Sequence, residues 1–550
     1  MRGNVRYFTL TLLAVLLTAG TVQAQAGATP GAMGIGDPYY PTLGNGGYDV
    51  RHYTLDLAVD MQRKTIAATT TIDAVATQNL SRFSLDFTGY SINRLTLGGT
   101  PAPYSRRGRK LVITPAHPLP AGAHFTVAVR YSGMPRPLAQ TTSLSVGTPT
   151  LGWNNYGRGV YIASEPNGAE DWFPANDHPL DKASYTFHIT VATPWVAVAN
   201  GLLQSTVTHG ATTTYTWQER FPMASYLAEI AIGHFALRQS VGPHGLPIRS
   251  YYPSAVANQG QALFSQVPAM IAYYESILGP YPFEAYGVVM ADVDFNWGME
   301  NQTLALFSRD LLLFNKDRAQ EGIAHELAHQ WFGNSVSLKD WRDIWLNEGF
   351  ATYLSWLWLE HNHSQGLLQH RLRQGYARLR EASLIDSLLQ QPHLVGLHAL
   401  HILDQLLAID GHPMSECEIL SNMGGISAGQ VTSRRALGFF GVRPGTADAA
   451  GIHELALSSA PASPPPSDLF GSGVYNRGAL TLYALQHRVG DATFFRILRT
   501  YTARYRYANA DTTDFIAVAN TVSGRNLTPF LREWLYARNV PVLAEVAGPA

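Results

Sequence analysis

The sequence predicts an α+β chain of more than one domain, in which an antiparallel β-sandwich or saddle-shaped sheet comes first and a mainly helical unit follows. Three observations predict it. The chain has 550 residues, several times the length of a typical domain. From Tyr48 to about Leu237, short runs alternate apolar and polar residues, as in Tyr53-Thr54-Leu55-Asp56-Leu57-Ala58-Val59 and Phe125-Thr126-Val127-Ala128-Val129, with turns such as Gly98-Gly99 and Pro120-Ala121-Gly122 between them. Beyond Leu246 the runs reach helical length, at Gln261 to Leu278, Arg318 to Gly333, Asn347 to Glu360 and Thr481 to Val489. Gly287 to Val293 and Thr303 to Phe307 keep a strand pattern, which predicts a small sheet on which those helices rest.

At the N-terminus, Arg2 and Arg6 precede an apolar run from Tyr7 to Ala19 that ends in Val22-Gln23-Ala24, the layout of a secretory signal peptide over residues 1–24. The run is shorter than the roughly 20 apolar residues of a spanning helix, so the mature chain is expected to have no membrane span. Cleavage removes two cations and shifts the formal charge from −1 to −3. The expectation is an exported protein, periplasmic or extracellular. Residues 25–47, rich in Gly, Pro, Ala and Tyr, read as an N-terminal tail. The β-rich domain is assigned to 48–245 and the helical domain to 246–545.

Composition narrows the function classes. An apolar fraction of 46% against 14% charged residues, with 27 Tyr and 11 Trp, describes a folded chain with large aromatic surfaces to bury. No block of five Lys or Arg occurs, so there is no electrostatic footprint for nucleic acid or anionic lipid. The single cysteine, Cys417, rules out an intrachain disulfide, and stability must come from core burial and bound metal.

The chemistry is concentrated in His325-Glu326-Leu327-Ala328-His329. Histidines at i and i+4 project from one face of a helix, one turn apart, which is the separation that lets a tetrahedral zinc take an imidazole from each. Ile323, Ala324, Leu327, Ala328, Trp331 and Phe332 give that helix an apolar body, as expected for one forming the floor of a cleft. Catalytic zinc keeps three protein ligands, and Glu348, nineteen residues after His329 at the start of a second helix, is positioned to be the third. Glu326 can reach the open coordination position without being a ligand, so it is the candidate general base. His453-Glu454 lacks a second His four residues on and is given no role.

The run His325 to Asn334, followed by Trp341 and Trp345-Leu346-Asn347-Glu348-Gly349-Phe350-Ala351, closely resembles the M1 family of zinc aminopeptidases. The resemblance implies a thermolysin-like catalytic domain, one Zn2+ per chain, and peptide substrates with a free N-terminus. The family's exopeptidase motif appears as Gly298-Met299-Glu300-Asn301, which implies that Gly298 and Met299 meet substrate backbone and that Glu300 holds the substrate ammonium. Glu165-Pro166-Asn167-Gly168-Ala169 resembles the family's β-domain segment that reaches the site, with Glu165 as a second ammonium ligand. Val474-Tyr475-Asn476-Arg477-Gly478 resembles the segment whose tyrosine stabilises an oxyanion, which makes Tyr475 the catalytic hydrogen-bond donor. Asp177 and Lys182 are read as members of a structural network.

Three departures stand out. Trp297 replaces the first Gly of the exopeptidase motif, and Arg477 replaces the usual Lys. Glu348 and Tyr475 are separated by 127 residues, about double the separation in the family, and the excess lies in a poorly patterned insertion at about 384–470 closed by Pro464-Pro465-Pro466. The insertion reads equally as a lid, a looped-out element, or sequence that does not fold, and it could displace Tyr475. The resemblance is to a short form without the large C-terminal helical domain of many members. The expected activity is zinc-dependent removal of N-terminal residues from peptides. The alternatives are a zinc endopeptidase with the same metal site and a catalytically impaired peptide-binding protein.

Overall fold

The computed structural model describes residues 27–139, 150–295, 298–363, 366–389 and 460–543. The leader, Trp297 and most of the insertion lie outside them.

The β-rich part is organised around an eight-stranded sheet with the order Leu202–His209, Thr212–Ala224, Lys182–Ala192, Tyr48–Asp60, Thr65–Ala76, His124–Gly133, Ser91–Leu97, Thr100–Pro101. Alternation sets which face is core: Leu55, Leu57, Ile72, Val127, Val129, Phe187 and Ile189 are buried while their neighbours face outward. A bulge between Val50 and His52 shifts the phase, so Val50 and Tyr53 both point inward. The sheet is not wholly antiparallel as expected, because Lys182–Ala192 runs parallel to Tyr48–Asp60. Between its strands at 124–133 and 182–192 the chain leaves this sheet, supplies strands Thr150–Asn155 and Val160–Ala163 to a second sheet, and returns by the crossover that parallel pairing requires.

A third sheet, in the order Phe235–Val241, Pro247–Pro253, Tyr286–Ala291, Ala305–Ser308, Gly298–Met299, carries the helical unit. The domain boundary expected at 245/246 therefore falls inside a hairpin of this sheet, since Phe235–Val241 pairs with Pro247–Pro253. Alternation marks a strand but not the sheet it joins. Among the described residues the α-helices are α1 (Ala257–Leu263), α2 (Val267–Leu278), α3 (Lys316–Ala328), α4 (Trp345–His363), α5 (Leu367–Leu389), α6 (Gly478–Val489), α7 (Asp491–Arg504), α8 (Thr512–Ser523) and α9 (Thr528–Tyr536). None of the described helices is long and apolar enough to cross a membrane.

Residues 27–47 are not the free tail expected from their composition. Asp37 accepts from the Trp341 backbone N–H at 2.8 Å and pairs with His178 Nε2 at 3.1 Å, and the Tyr39 hydroxyl donates to the Pro464 carbonyl. Asn45 donates its backbone N–H to Asn176 Oδ1 at 2.6 Å, and buried Lys110 donates to the Gly44 carbonyl at 2.7 Å. The segment straps the β-rich and helical parts together through polar contacts, which a reading of apolar periodicity does not register.

Lys182 joins the same two parts. Its ammonium donates to the Asn334 and Ser335 carbonyls at 2.8 and 3.0 Å, and burial pushes its pKa down to about 7. A lysine whose pKa is depressed in the folded state contributes stability that is complete above its unfolded value of about 10.4 and is lost as pH falls toward 7. Lys182→Met, which does not titrate, is therefore expected to melt below the wild type at pH 10. The gap in melting temperature should narrow as pH is lowered to 7, measured by thermal unfolding at both pH values.

Candidate active site

Helix α3 begins at Asn315, whose side chain accepts from the Arg318 backbone N–H at 2.9 Å, and runs into the core with Ile323, Ala324, Leu327 and Ala328 buried. Its last turn presents His325, Glu326 and, just beyond it, His329 to a cleft of about 880 Å³. Glu348 enters the same cleft from the first turn of α4. His325 Nε2 lies 3.2 Å from Glu348 Oε2 and 3.1 Å from His329 Nε2, while His329 Nε2 lies 3.4 Å from Glu348 Oε2.

A tetrahedral zinc with donor bonds of about 2.0–2.1 Å needs donors spaced by about 3.3–3.4 Å, so this triangle fits the ion. The tautomer fits as well. His329 Nδ1 donates to the Phe332 carbonyl at 3.1 Å, which leaves the Nε2 lone pair directed at the other two donors. The electrostatics agree, because burial disfavours charge on both groups, yet facing carboxylates raise His329 and facing imidazoles lower Glu348. The pocket favours a cation at its centre.

Glu326 is buried against the edge strand Gly298–Met299. A Cβ on Gly298 would stand 2.6 Å from Glu326 Oε1, so only glycine lets that backbone edge approach the carboxylate. Burial, with Glu300 and Glu348 nearby, raises the Glu326 pKa well above the usual carboxylate range, and His329 opposes the rise. Next to it, carboxylate oxygens of Glu165, Glu300 and Glu348 lie within 4.8 Å of one another. Glu165 Oε1 and Glu300 Oε1 are buried with no hydrogen-bond partner, and burial raises both pKa values, Glu300 to about 7. Unpaired buried carboxylates are costly, so this corner is built to receive a cationic donor.

Tyr475 reaches the site despite the long separation in sequence. Its ring stacks near His325, with centroids 6.0 Å apart and planes 14° from parallel. It sits on a π-helical turn, Gly473–Arg477, leading into α6. Two features place that turn. A Cβ on Gly349 or on Gly478 would meet the other glycine's Cα at 2.8 Å, so α4 and α6 touch backbone to backbone immediately beside Glu348 and three residues after Tyr475. Buried Arg477 donates to the carbonyls of Glu533, Trp534, Ala537 and Asn539, capping the C-terminal end of α9. Arg in place of Lys is thus a matched replacement, since a forked guanidinium can serve several carbonyls at once. The displacement of Tyr475 that the insertion could have caused does not occur.

All nine residues singled out in the sequence line or adjoin this one cleft. Sequence reading missed the Gly349–Gly478 contact, and it missed Gln330, Asn334 and Thr303, which hold the Glu300 segment. A glycine beside a proposed ligand was the available signal for the first.

A His-His-Glu donor triangle with a buried carboxylate beside it and an acidic corner adjoining, set between a β-rich domain and a helical one, defines a metallopeptidase-type site. Profiles of known families agree: the peptidase M1 N-terminal domain matches residues 50–227, and the peptidase family M1 domain matches residues 262–399 and 448–534. The chain belongs to peptidase family M1. The second profile skips 400–447, which narrows the insertion. Similar proteins include aminopeptidase M1 of Arabidopsis thaliana, 27% identical over 390 residues, covering 69% of this chain and 37% of that one. Glutamyl aminopeptidase of Bitis rhinoceros is 25% identical over 417 residues, covering 72% of this chain and 36% of that one. The chain thus spans a little over a third of the length of these curated relatives. Among solved structures, a Glu-to-Ala variant of an M1 zinc metallopeptidase from Deinococcus radiodurans, bound to a Tyr-Ser-Ala substrate, superposes with a TM-score of 0.73 at 26% identity, covering 93% of this chain and 100% of that one. Yeast LTA4 hydrolase, at 20% identity and a TM-score of 0.65, shares the fold.

Proposed function

We propose that the protein is a zinc-dependent aminopeptidase that removes single residues from the N-termini of peptides. The observation that carries this reading is the pair Glu165 and Glu300, each with a buried carboxylate oxygen that has no hydrogen-bond partner, within 4.8 Å of the donor Glu348. A substrate ammonium between them satisfies both, and its placement beside the donor triangle sets the scissile bond one residue from the N-terminus. His325, His329 and Glu348 would hold one zinc ion per chain, which when bound supplies Lewis-acid polarisation of the carbonyl and acidifies water.

The chain's own residues do the rest. Glu326, whose buried carboxylate lies beside the donor triangle, takes the proton from the attacking water and returns it to the leaving amine. The Tyr475 hydroxyl, which burial holds protonated, donates to the oxygen on which negative charge develops. Gly298 and Met299, on an edge strand, offer backbone groups to the peptide. In support, the Glu-to-Ala variant of the Deinococcus M1 zinc metallopeptidase, whose whole length this chain covers, is bound to a Tyr-Ser-Ala substrate.

Comparing a free-amine aminoacyl-arylamide with its N-acetylated form tests this reading. We expect hydrolysis of the first only, and equal rates on both would overturn it. The same corner predicts side-chain preference. Glu165, Glu300, Glu326 and Glu348 crowd the amino end, whereas Arg318 stands seven residues ahead of His325 on α3, about 10 Å along the helix, and Arg371, the cleft's other arginine among the described residues, is paired with Glu321. Substrates beginning with Asp or Glu should therefore be cleaved slowest in a panel of aminoacyl-arylamides, and Leu, Met or Phe faster.

We also propose that the mature protein is exported to the periplasm or beyond, on the basis of the 1–24 leader pattern. N-terminal sequencing of the protein recovered from cell fractions tests this; a cytoplasmic product retaining Met1 would contradict it.

A further inference from the structure

The anchor residue Glu300 stands at the start of a short turn, and that turn is conformationally costly. The Leu304 backbone N–H donates to the Asn301 carbonyl at 3.0 Å, and Thr303 within the turn has a φ of +61°. Glycine or asparagine ordinarily fills such a position, because a β-branched side chain crowds its own backbone there. A threonine is explained by what its side chain does. Thr303 Oγ1 donates to Glu219 Oε2 at 2.9 Å and accepts from the Gly201 backbone N–H at 2.8 Å, and both partners belong to the β-rich domain.

The turn is held on its other side by the segment that follows the metal-donor helix. Gln330, the residue after His329, accepts from the Thr303 backbone N–H through Oε1 at 3.0 Å and donates from Nε2 to the Glu300 carbonyl at 3.2 Å. Asn334 Nδ2 donates to the same carbonyl at 2.7 Å, and buried Arg249 donates to the Thr303 carbonyl at 3.0 Å. Glu219, Gln330, Asn334 and Thr303 are all buried, so each bond is shielded from competing water. One residue thus ties the β-rich domain, the donor helix and the ammonium anchor together.

We propose that Thr303 is a positioning residue that, braced by Glu219 on one side and Gln330 on the other, fixes the Glu300 carboxylate at the distance from the metal donors that admits a single N-terminal residue. The inference rests on the aminopeptidase reading of the site. It explains why a strained threonine stands where glycine would be easier: glycine would adopt the turn but would lose the Oγ1 bonds to Glu219 and Gly201, leaving the turn tied to the β-rich domain through Asn200 to the Gln302 carbonyl and Asn301 to Glu229.

The test uses the zinc-loaded full chain and a free-amine leucyl-arylamide, with metal content and melting temperature recorded for every variant. Thr303→Gly relieves the backbone but removes Oγ1. It is expected to raise KM roughly tenfold with a smaller change in kcat, because a displaced anchor weakens ammonium binding in both ground and transition states. Thr303→Ser, which keeps the oxygen, should restore KM to within about twofold of wild type. Glu219→Leu should reproduce the glycine variant, whereas Glu219→Gln, still able to accept from Oγ1, should not. A Thr303→Gly enzyme with wild-type KM, or a Thr303→Ser enzyme as impaired as the glycine variant, would overturn the proposal. So would a loss of kcat and zinc together with KM unchanged. Failure of the aminopeptidase reading is seen separately, in wild type alone, as hydrolysis of the acetylated substrate.

Discussion

Glu326→Gln is expected to lower kcat for aminoacyl-arylamides by about 10²–10⁴-fold while leaving the metal content and the melting temperature close to wild type. The carboxylate lies against the Gly298 edge, where a Cβ would stand 2.6 Å from it, so an isosteric amide fits the same space. Gln cannot accept and return a proton, and in the proposed mechanism Glu300 and Glu165 hold the ammonium and Glu348 the metal, which leaves none of these neighbouring carboxylates to replace it. KM should change little, because Glu326 holds no substrate group in the ground state. Stopped assays at saturating substrate, beside metal analysis of the same sample, give the answer. A glutamine variant at wild-type rate would remove Glu326 from the mechanism.

Removal of the metal should be as damaging to activity and should also be visible in stability. Chelation, or Glu348→Ala, is expected to reduce turnover to background. Without a cation, the carboxylates of Glu165, Glu300, Glu326 and Glu348 remain buried within one site, compensated only by the imidazoles. A ligand at a thousand times its dissociation constant stabilises the folded state by about 4 kcal/mol. The melting transition should accordingly fall by about 4–7 °C on chelation and recover when zinc is restored. A chelated sample with unchanged activity and melting would show that no metal is held by His325, His329 and Glu348.

The donors were legible because helical spacing is a local property: His325 and His329 are one turn apart whatever surrounds them. Glu300, Glu165 and Tyr475 were reached through resemblance, since nothing local to a lone carboxylate or phenol reports what it faces in space. The long separation between Glu348 and Tyr475 pointed to displacement, but chain length is a poor guide to distance. The Gly349–Gly478 contact and the Arg477 cap fix Tyr475 through its immediate neighbours. What the sequence concealed were the polar ties between distant segments. Asp37 to Trp341 and Thr303 to Glu219 carry no periodicity, and each involves residue types that are more often solvated. The parallel strand pair and the hairpin shared by the third sheet were hidden for a related reason, because alternation defines a face and not a partner.

The decisive measurement is the time course of products from an unblocked peptide of about ten residues incubated with the zinc-loaded chain, followed by mass spectrometry. An acidic corner that holds the ammonium one residue from the scissile bond predicts a ladder, each product shorter than the last by one N-terminal residue, with no internal fragments and no reaction on the acetylated peptide. Internal fragments at early times, or cleavage of the acetylated peptide at a similar rate, would contradict it.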